Sequence, residues 1–374
     1  MRRIFEPRVW ATMAIVLAGA ALATKVAGQQ PVPKVAEPPV PKVAVKAAIK
    51  TAVKAPAKPA APVIEARAIF GALATPAPLS PRAIGFYSHG CLAGAEPLPI
   101  DGPVWQVMRL SRNRNWGHPN LVKMIERLAG DAKAQDGWPG LLVGDLSQPR
   151  GGPMVSSHAS HQVGLDVDVW LTPMPDHRLT AQEREDLSAG SVLGPDELSV
   201  DPNKWTPALA RVIVRAASYP EVDRMFVHPA IKKALCLEPG IDRANLRKIQ
   251  PYYGHEDHMH IRIACPKDSA LCKPQIARPA DDGCAKEVDQ WLANFRKAAA
   301  IAAARPKLPP PPVPAKPVPR RPGLSLAQLP AECRAVVDAG APGTLAAAIA
   351  KIQASSASAT GTAIAPVDGA AMAK

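Results

Sequence analysis

Aromatic residues make up only 4% of this 374-residue chain, whereas 43 of its residues are proline. A chain so composed cannot be packed core throughout. Acids are scarce in the flanks: residues 24–66 hold seven Lys against Glu37 and Glu65, and residues 301–374 hold eight Lys or Arg against three acids. The net charge of +13 therefore belongs to the flanks, and residues 67–300 are close to neutral. That argues against nucleic acid as a partner of the folded part, although cationic flanks can hold a protein near polyanionic wall or membrane surfaces. There is no C-x-x-C, so a cysteine zinc site is poorly supported. There is no H-E-x-x-H either, because His255-Glu256-Asp257-His258 is one residue short of that helical zincin motif. S-x-x-K with K-T-G is also missing, which leaves β-lactams no serine to acylate. After the N-terminus, no apolar run is long enough to span a bilayer.

What is present divides the chain. Arg2, Arg3 and Arg8 precede an apolar run starting at Ala11, and Ala21-Leu22-Ala23 offers small-x-small cleavage after Ala23, with Ala27 as a second position. Residues 1–23 therefore read as an export signal, the competing reading being an uncleaved anchor. Residues 24–66 repeat Pro-Val-Pro-Lys-Val-Ala at 31–36 and 39–44 and form an extended Ala/Lys/Pro linker. A Pro-rich linker spans 301–323, followed by a tail, 324–374, that carries Cys333 and ends in an Ala/Ser/Thr/Gly stretch expected to be disordered. The six cysteines, Cys91, Cys236, Cys265, Cys272, Cys284 and Cys333, are an even number in an exported chain and point to three disulfides. Six cysteines allow 15 pairings. A lone Cys333 beyond a Pro-rich stretch most simply pairs back to the body and clips the tail to it.

The folded region, 67–300, begins near Ile69-Phe70 or Ala83. Residues 120–133 place Leu121, Met124, Ile125 and Leu128 at helical spacing. Further helices are expected over Pro207–Ser218, 229–236 and 287–298, and short strands over 140–145, 165–171 and 258–264. Strands interleaved with helices, without a regular βαβ rhythm, predict an α+β domain with a central antiparallel sheet flanked by helices.

Five of the nine histidines lie in two short segments, 157–170 and 255–260. Side chains two apart on a strand share a face. In His258-Met259-His260-Ile261-Arg262-Ile263 the two imidazoles and the guanidinium face one way. In Asp166-Val167-Asp168-Val169 both carboxylates do so. Laid side by side, the two strands bring imidazoles opposite carboxylates, and His161 returns from the preceding loop. A hydrolytic zinc site needs three protein ligands and an open position, and His161, Asp168 and His260 would supply them. His258, beside a ligand on the same face, is placed to act as general base or to hold the transition state. Two His and one carboxylate also suit non-haem iron, which an exported, disulfide-bearing chain makes the weaker choice. Asp166 reads as a partner of a ligand or as a buried hydrogen-bonded acid. Arg114 and Arg262 could grip substrate carboxylates or form structural ion pairs, and His118, in Gly-His-Pro, reads as structural.

His161-x6-Asp168 followed by His258-x-His260 resembles the signature of the lysostaphin, D-Ala-D-Ala peptidase and hedgehog-fold metallopeptidases. The fuller text is His158-Ala-Ser-His161-Gln-x-Gly164-Leu-Asp166-Val-Asp168, then Pro229-Ala-Ile-Lys-x-x-Leu-Cys236, then His255-x-x-His258-Met-His260-x-Arg262-x-x-Cys265-Pro266. Over roughly residues 80–335 it is similar to the penicillin-insensitive murein endopeptidases. The resemblance implies zinc held by His161, Asp168 and His260 with His158 near it, His258 as catalytic base, and His255 near the developing oxyanion. It also implies the disulfides Cys91–Cys333, Cys236–Cys284 and Cys265–Cys272. The region after Trp170 departs from the resemblance, with no counterpart to the Asp-x-x-His that can hold a second zinc in such relatives, so a second zinc is not expected.

The expected protein is a periplasmic zinc endopeptidase acting on peptidoglycan at the D-alanyl–meso-diaminopimelate cross-link. A zinc DD- or LD-carboxypeptidase that trims stem peptides, or a catalytically silent peptidoglycan-binding protein, are the alternatives. No transmembrane segment is expected after signal cleavage.

Overall fold

The computed structural model of the chain describes residues 64–155, 158–304, 323–340 and 343–361. The expected export signal, nearly all of the first linker, most of the second and the end of the tail lie outside the described residues. The strands, in chain order, begin with β1 (Arg82–Phe86), β2 (His89–Ala93), β3 (Glu96–Pro97), β4 (Trp105–Val107) and β5 (Trp116–Gly117). They continue with β6 (Leu141–Val143), β7 (Asp166–Trp170), β8 (Val222–Val227), β9 (Ile249–Pro251) and β10 (His258–Ile263). The helices are α1 (Ala66–Ala72), α2 (Pro119–Asp131), α3 (Ala181–Asp186) and α4 (Pro207–Ser218), then α5 (Pro229–Leu237), α6 (Lys286–Ala304), α7 (Glu332–Asp338) and α8 (Thr344–Gly361).

Three helices start by the same chemistry. Proline follows a polar N-cap in α2, α4 and α5, where its missing N–H costs nothing. The caps are His118, Thr206 and His228, whose side chains accept from the backbone N–H of Asn120, Leu209 and Ala230. Beyond its cap, α2 buries Leu121, Val122, Met124, Ile125 and Leu128, and α4 buries Leu209, Val212, Ile213 and Ala216. His118 is thus structural, as its turn sequence suggests.

These apolar faces pack on a six-stranded sheet ordered β4-β6-β7-β10-β8-β9. Val167, Val169, Met259, Ile261, Ile263 and Met225 face the same core as Leu121, Ile125 and Ile213. Each large apolar side chain so buried contributes about 1.5–3 kcal/mol. The α+β class is as expected, but the sheet is mixed rather than antiparallel. Its three inner pairings are antiparallel, while β4–β6 and β8–β9 are parallel. The reason is connectivity: α2 intervenes between β4 and β6, and α5 between β8 and β9, and such crossovers return a strand in parallel.

A second core joins the two ends of the described chain. Ile69 and Phe70 of α1, Ile84 and Cys91 of the β1–β2 hairpin, and Cys333, Val336 and Val337 of α7 pack together. Glu65 bridges to Ser325, and Arg150 Nη1 donates to the carbonyls of Val336, Val337 and Ala339, capping the C-terminal end of α7. The disulfides are Cys91–Cys333, Cys236–Cys284 and Cys265–Cys272, the pairs implied by the resemblance. Cys91–Cys333 closes a span of 242 residues.

Two predictions follow from these contacts. Replacing Cys91 and Cys333 together by Ser should cost about 2–4 kcal/mol, read by urea denaturation of the oxidised proteins; a loss near zero would mean the α7 core holds without the cross-link. Burial pushes the His228 imidazole down to about 4, against about 6.5 in an unfolded chain. A group depressed in this way supplies stability above pH ~6.5 that is lost as pH falls toward ~4. His228→Asn keeps a capping acceptor, so its stability should vary less with pH over that window; an unchanged slope would place the acid sensitivity elsewhere.

Candidate functional site

The face of the sheet opposite the α2–α4 core carries the chemistry. β7 and β10 pair so that His260 lies opposite Asp168, Arg262 opposite Asp166, and His258 opposite Trp170. On the other flank β10 pairs with β8, setting His260 against Phe226 and Arg262 against Arg224. Phe226 in turn lies beside Gln250 of β9. One row thus reads Asp168, His260, Phe226, Gln250 across four strands. His161 enters from the loop before β7 in a left-handed conformation (φ 66°), strain of order 1–3 kcal/mol that tends to collect at functional sites. Gly164 (φ 70°) turns that loop into β7 where a Cβ would meet Leu92 Cδ2 at 2.3 Å.

His158, His161 and Asp168 offer potential ligand atoms within 4.8 Å of one another. His260 Nδ1 belongs to the same group, 3.0 Å from Asp168 Oδ1, and His161 Nε2 lies 3.5 Å from that oxygen. Donors bonded at ~2.0–2.1 Å to one tetrahedral ion sit about 3.3 Å apart, so these separations fit a shared cation. A second observation agrees: Asp168 Oδ1 and both ring nitrogens of His161 are buried without a hydrogen-bond partner among the described residues. Orphaned buried polar atoms are costly unless something satisfies them. Burial works against charge on His161, but Asp168 outweighs it and pushes the imidazole up to about 9. Burial is likewise overcome at Asp168, which His161 and His258 hold well below the usual carboxylate range.

The surrounding groups orient these donors. Asp166 Oδ1 meets His260 Nε2 at 2.7 Å and accepts from Arg262 Nε at 2.6 Å. That contact holds the far nitrogen of His260 and turns Nδ1 toward Asp168. Asp145, buried and paired with Arg114 and Arg112, lies 3.1 Å from His158 Nε2. Asp166 is therefore a partner of the cluster, and both arginines named from the sequence are engaged in ion pairs within the protein. Asp257 Oδ1, 2.6 Å from His258 Nδ1, leaves His258 Nε2 on the Asp168 side, 3.7 Å from Oδ1. Burial depresses His258, but Asp168 and Asp257 more than offset that and raise it. His255 Nδ1 donates to the Tyr253 carbonyl at 2.6 Å; a carbonyl can only accept, so Nε2 bears the lone pair. Burial, with His258 and His260 nearby, pushes His255 down to about 4.

His158, His161, Asp168, His255, His258 and His260 are thus gathered about one point. The supporting roles of Asp145, Asp257 and the Tyr253 carbonyl went unassigned in the sequence. The acid beside His258 was the one available signal; the others depend on tertiary placement. The cluster lies between two openings. A cleft of about 700 Å³ runs from it across Phe226 toward Tyr252, Gln250 and Arg224. Another of about 320 Å³ runs the opposite way, past Trp170 to Arg109 and Arg112.

If Asp166 sets the His260 ring, Asp166→Asn should weaken metal binding about 10–100-fold. Competition with a chromophoric chelator, on protein shown by its melting curve to be folded, reads this. Unchanged affinity would remove Asp166 from that role.

A family model described as penicillin-insensitive murein endopeptidase matches residues 83–338. A relative from Pectobacterium atrosepticum with that name is 39% identical over 266 residues, covering 71% of this chain and 87% of its own. One from Haemophilus influenzae, of the same name, is 42% identical over 230 residues, 61% of this chain and 78% of its own. One from Yersinia enterocolitica, also so named, is 40% identical over 260 residues, 69% and 86% of the two chains. With this fold, these disulfides and this cluster, the chain belongs to the penicillin-insensitive murein endopeptidase family of peptidases.

Proposed function

We propose that the protein is an exported zinc metallo-endopeptidase that hydrolyses the D-alanyl–meso-diaminopimelate cross-link of peptidoglycan in the periplasm. The observation that carries this reading is the set of buried donors without hydrogen-bond partners, on His161 and Asp168, converging with His158 and His260 beneath an open cleft. Imidazole and carboxylate donors in a chain with three disulfides and no free cysteine suit zinc in an oxidising compartment. No described helix is long and apolar enough to cross a membrane.

His161, Asp168 and His260 would hold the ion, with His158 beside them. When bound, zinc supplies Lewis-acid charge that polarises a carbonyl and acidifies a coordinated water. The protein's own groups do the rest. His258, tied at Nδ1 by Asp257, takes a proton at Nε2 from the attacking water. Asp257 stabilises the imidazolium so formed, which returns the proton to the leaving amine. His255 fits a different part from the oxyanion role expected of it. With Nδ1 donating to Tyr253, Nε2 can accept an N–H from the substrate but cannot donate to an oxyanion while the ring is neutral.

The two openings favour an endopeptidase. A cross-link has a peptide arm on each side of the scissile amide, and the cleft continues past the cluster both ways. A carboxypeptidase pocket would close behind a terminal carboxylate.

The test is digestion of purified cross-linked muropeptide dimers, read by mass spectrometry. Zinc-loaded wild type should convert dimers to monomers, with at least a hundredfold loss in His161→Ala and on chelation. Intact dimers together with release of terminal D-Ala from uncross-linked peptides would instead establish a carboxypeptidase. No hydrolysis by protein with bound zinc would favour a silent wall-binding role.

A further inference from the structure

The larger cleft contains a donor that the proposed chemistry does not use. Gln250, on β9, is 9% exposed, lines the cleft, and its Nε2 is buried with no hydrogen-bond partner among the described residues. An unsatisfied amide donor typically costs about 1–3 kcal/mol, so its persistence at the floor of an open cleft points to a ligand acceptor. Arg224 lines the same cleft. Its Nε donates to Asp223 at 2.7 Å and its Nη2 to the Ile276 carbonyl at 2.8 Å, and Nη1 makes no hydrogen bond among the described residues. Those two contacts fix the plane of the guanidinium in advance. Nearby Arg262 is committed to Asp166 and Gln275, so on this side the guanidinium nitrogen placed to answer a ligand is Nη1 of Arg224, whose other two nitrogens are held by Asp223 and the Ile276 carbonyl.

Placement sets what the ligand is. Phe226 lies between His260 and Gln250 in the sheet row, which puts Gln250 roughly 10 Å from His260 at two strand spacings. Side chains reaching back over the Phe226 ring, which packs edge-on to Tyr252 at 5.5 Å, therefore meet a substrate about one residue from the reacting centre. We infer that Arg224 and Gln250 form a carboxylate-binding subsite that recognises a free carboxylate flanking the scissile amide, above the apolar floor of Phe226. This rests on the endopeptidase reading. Diaminopimelate acylated through its amine keeps such a carboxylate on the carbon bearing the scissile nitrogen. A guanidinium edge and an amide N–H together match the two oxygens of a carboxylate.

The experiment compares a cross-linked dimer with its analogue in which that carboxylate is a carboxamide. Two readouts are taken: KM and kcat with wild type, Arg224→Gln and Gln250→Leu, and calorimetric binding of both dimers to zinc-loaded His258→Gln and to the two double variants. The carboxylate dimer should bind about tenfold or more tightly than the carboxamide. Arg224→Gln should erase that preference through KM, with kcat little changed. Gln250→Leu should also raise KM although its melting temperature holds or rises, because it removes an orphaned donor; a purely structural glutamine would do the opposite. Equal binding of the two dimers, or a preference that survives both substitutions, overturns the subsite. A binding preference without any hydrolysis by wild type leaves the subsite standing and overturns the endopeptidase reading instead.

Discussion

Everything at this site depends on the antiparallel register between β7 and β10. Opposite residues alternate faces together, so pairing His260 with Asp168 commits Arg262 to Asp166 and His258 to Trp170. A slip by one residue would send every one of these side chains into the apolar core and bring Val167, Val169, Met259 and Ile261 to the cleft. The core is therefore what fixes the site. The burial of those four residues against α2 and α4 specifies the pairing, and the pairing specifies the donors.

The site is also costly to build. Asp166, Asp168 and His161 are almost wholly buried, and buried charge is tolerated only with partners. Asp166 is answered by Arg262 and His260, and Asp145 by Arg114. Each partnered acid then holds an imidazole in place. Among the described residues, Asp168 Oδ1 and the His161 ring, like Asp166 Oδ2, are buried without hydrogen-bond partners, and the first two sit where a cation would complete the arrangement. The same pattern of compensated and uncompensated groups separates scaffold from site in the larger cleft, where Gln250 Nε2 is buried without a partner among the described residues.

Much of this was legible in the sequence because it rests on short-range periodicity. Alternation in residues 166–169 and 258–263 is enough to place carboxylates and imidazoles on common faces, and helical spacing finds α2 and α4. What was missed depends on long-range contacts. The parallel edges of the sheet come from strands β4 and β9, too brief to carry a period, and their direction is set by the helices that precede β6 and β9. Asp145 reaches His158 only through the fold. The tautomer of His255 is decided by a backbone carbonyl, which no residue identity announces. Arg224 and Gln250 read as ordinary strand residues until β8 and β9 are laid beside β10.

The most direct test of the account is the zinc X-ray absorption spectrum of the metal-loaded protein. The account predicts a first shell of nitrogen and oxygen at ~2.0–2.1 Å, with imidazole scattering that falls by one ring in His260→Ala. A shell with sulfur at ~2.3 Å, or one indifferent to loss of His260, would contradict the claim that the β7–β10 register builds the metal site.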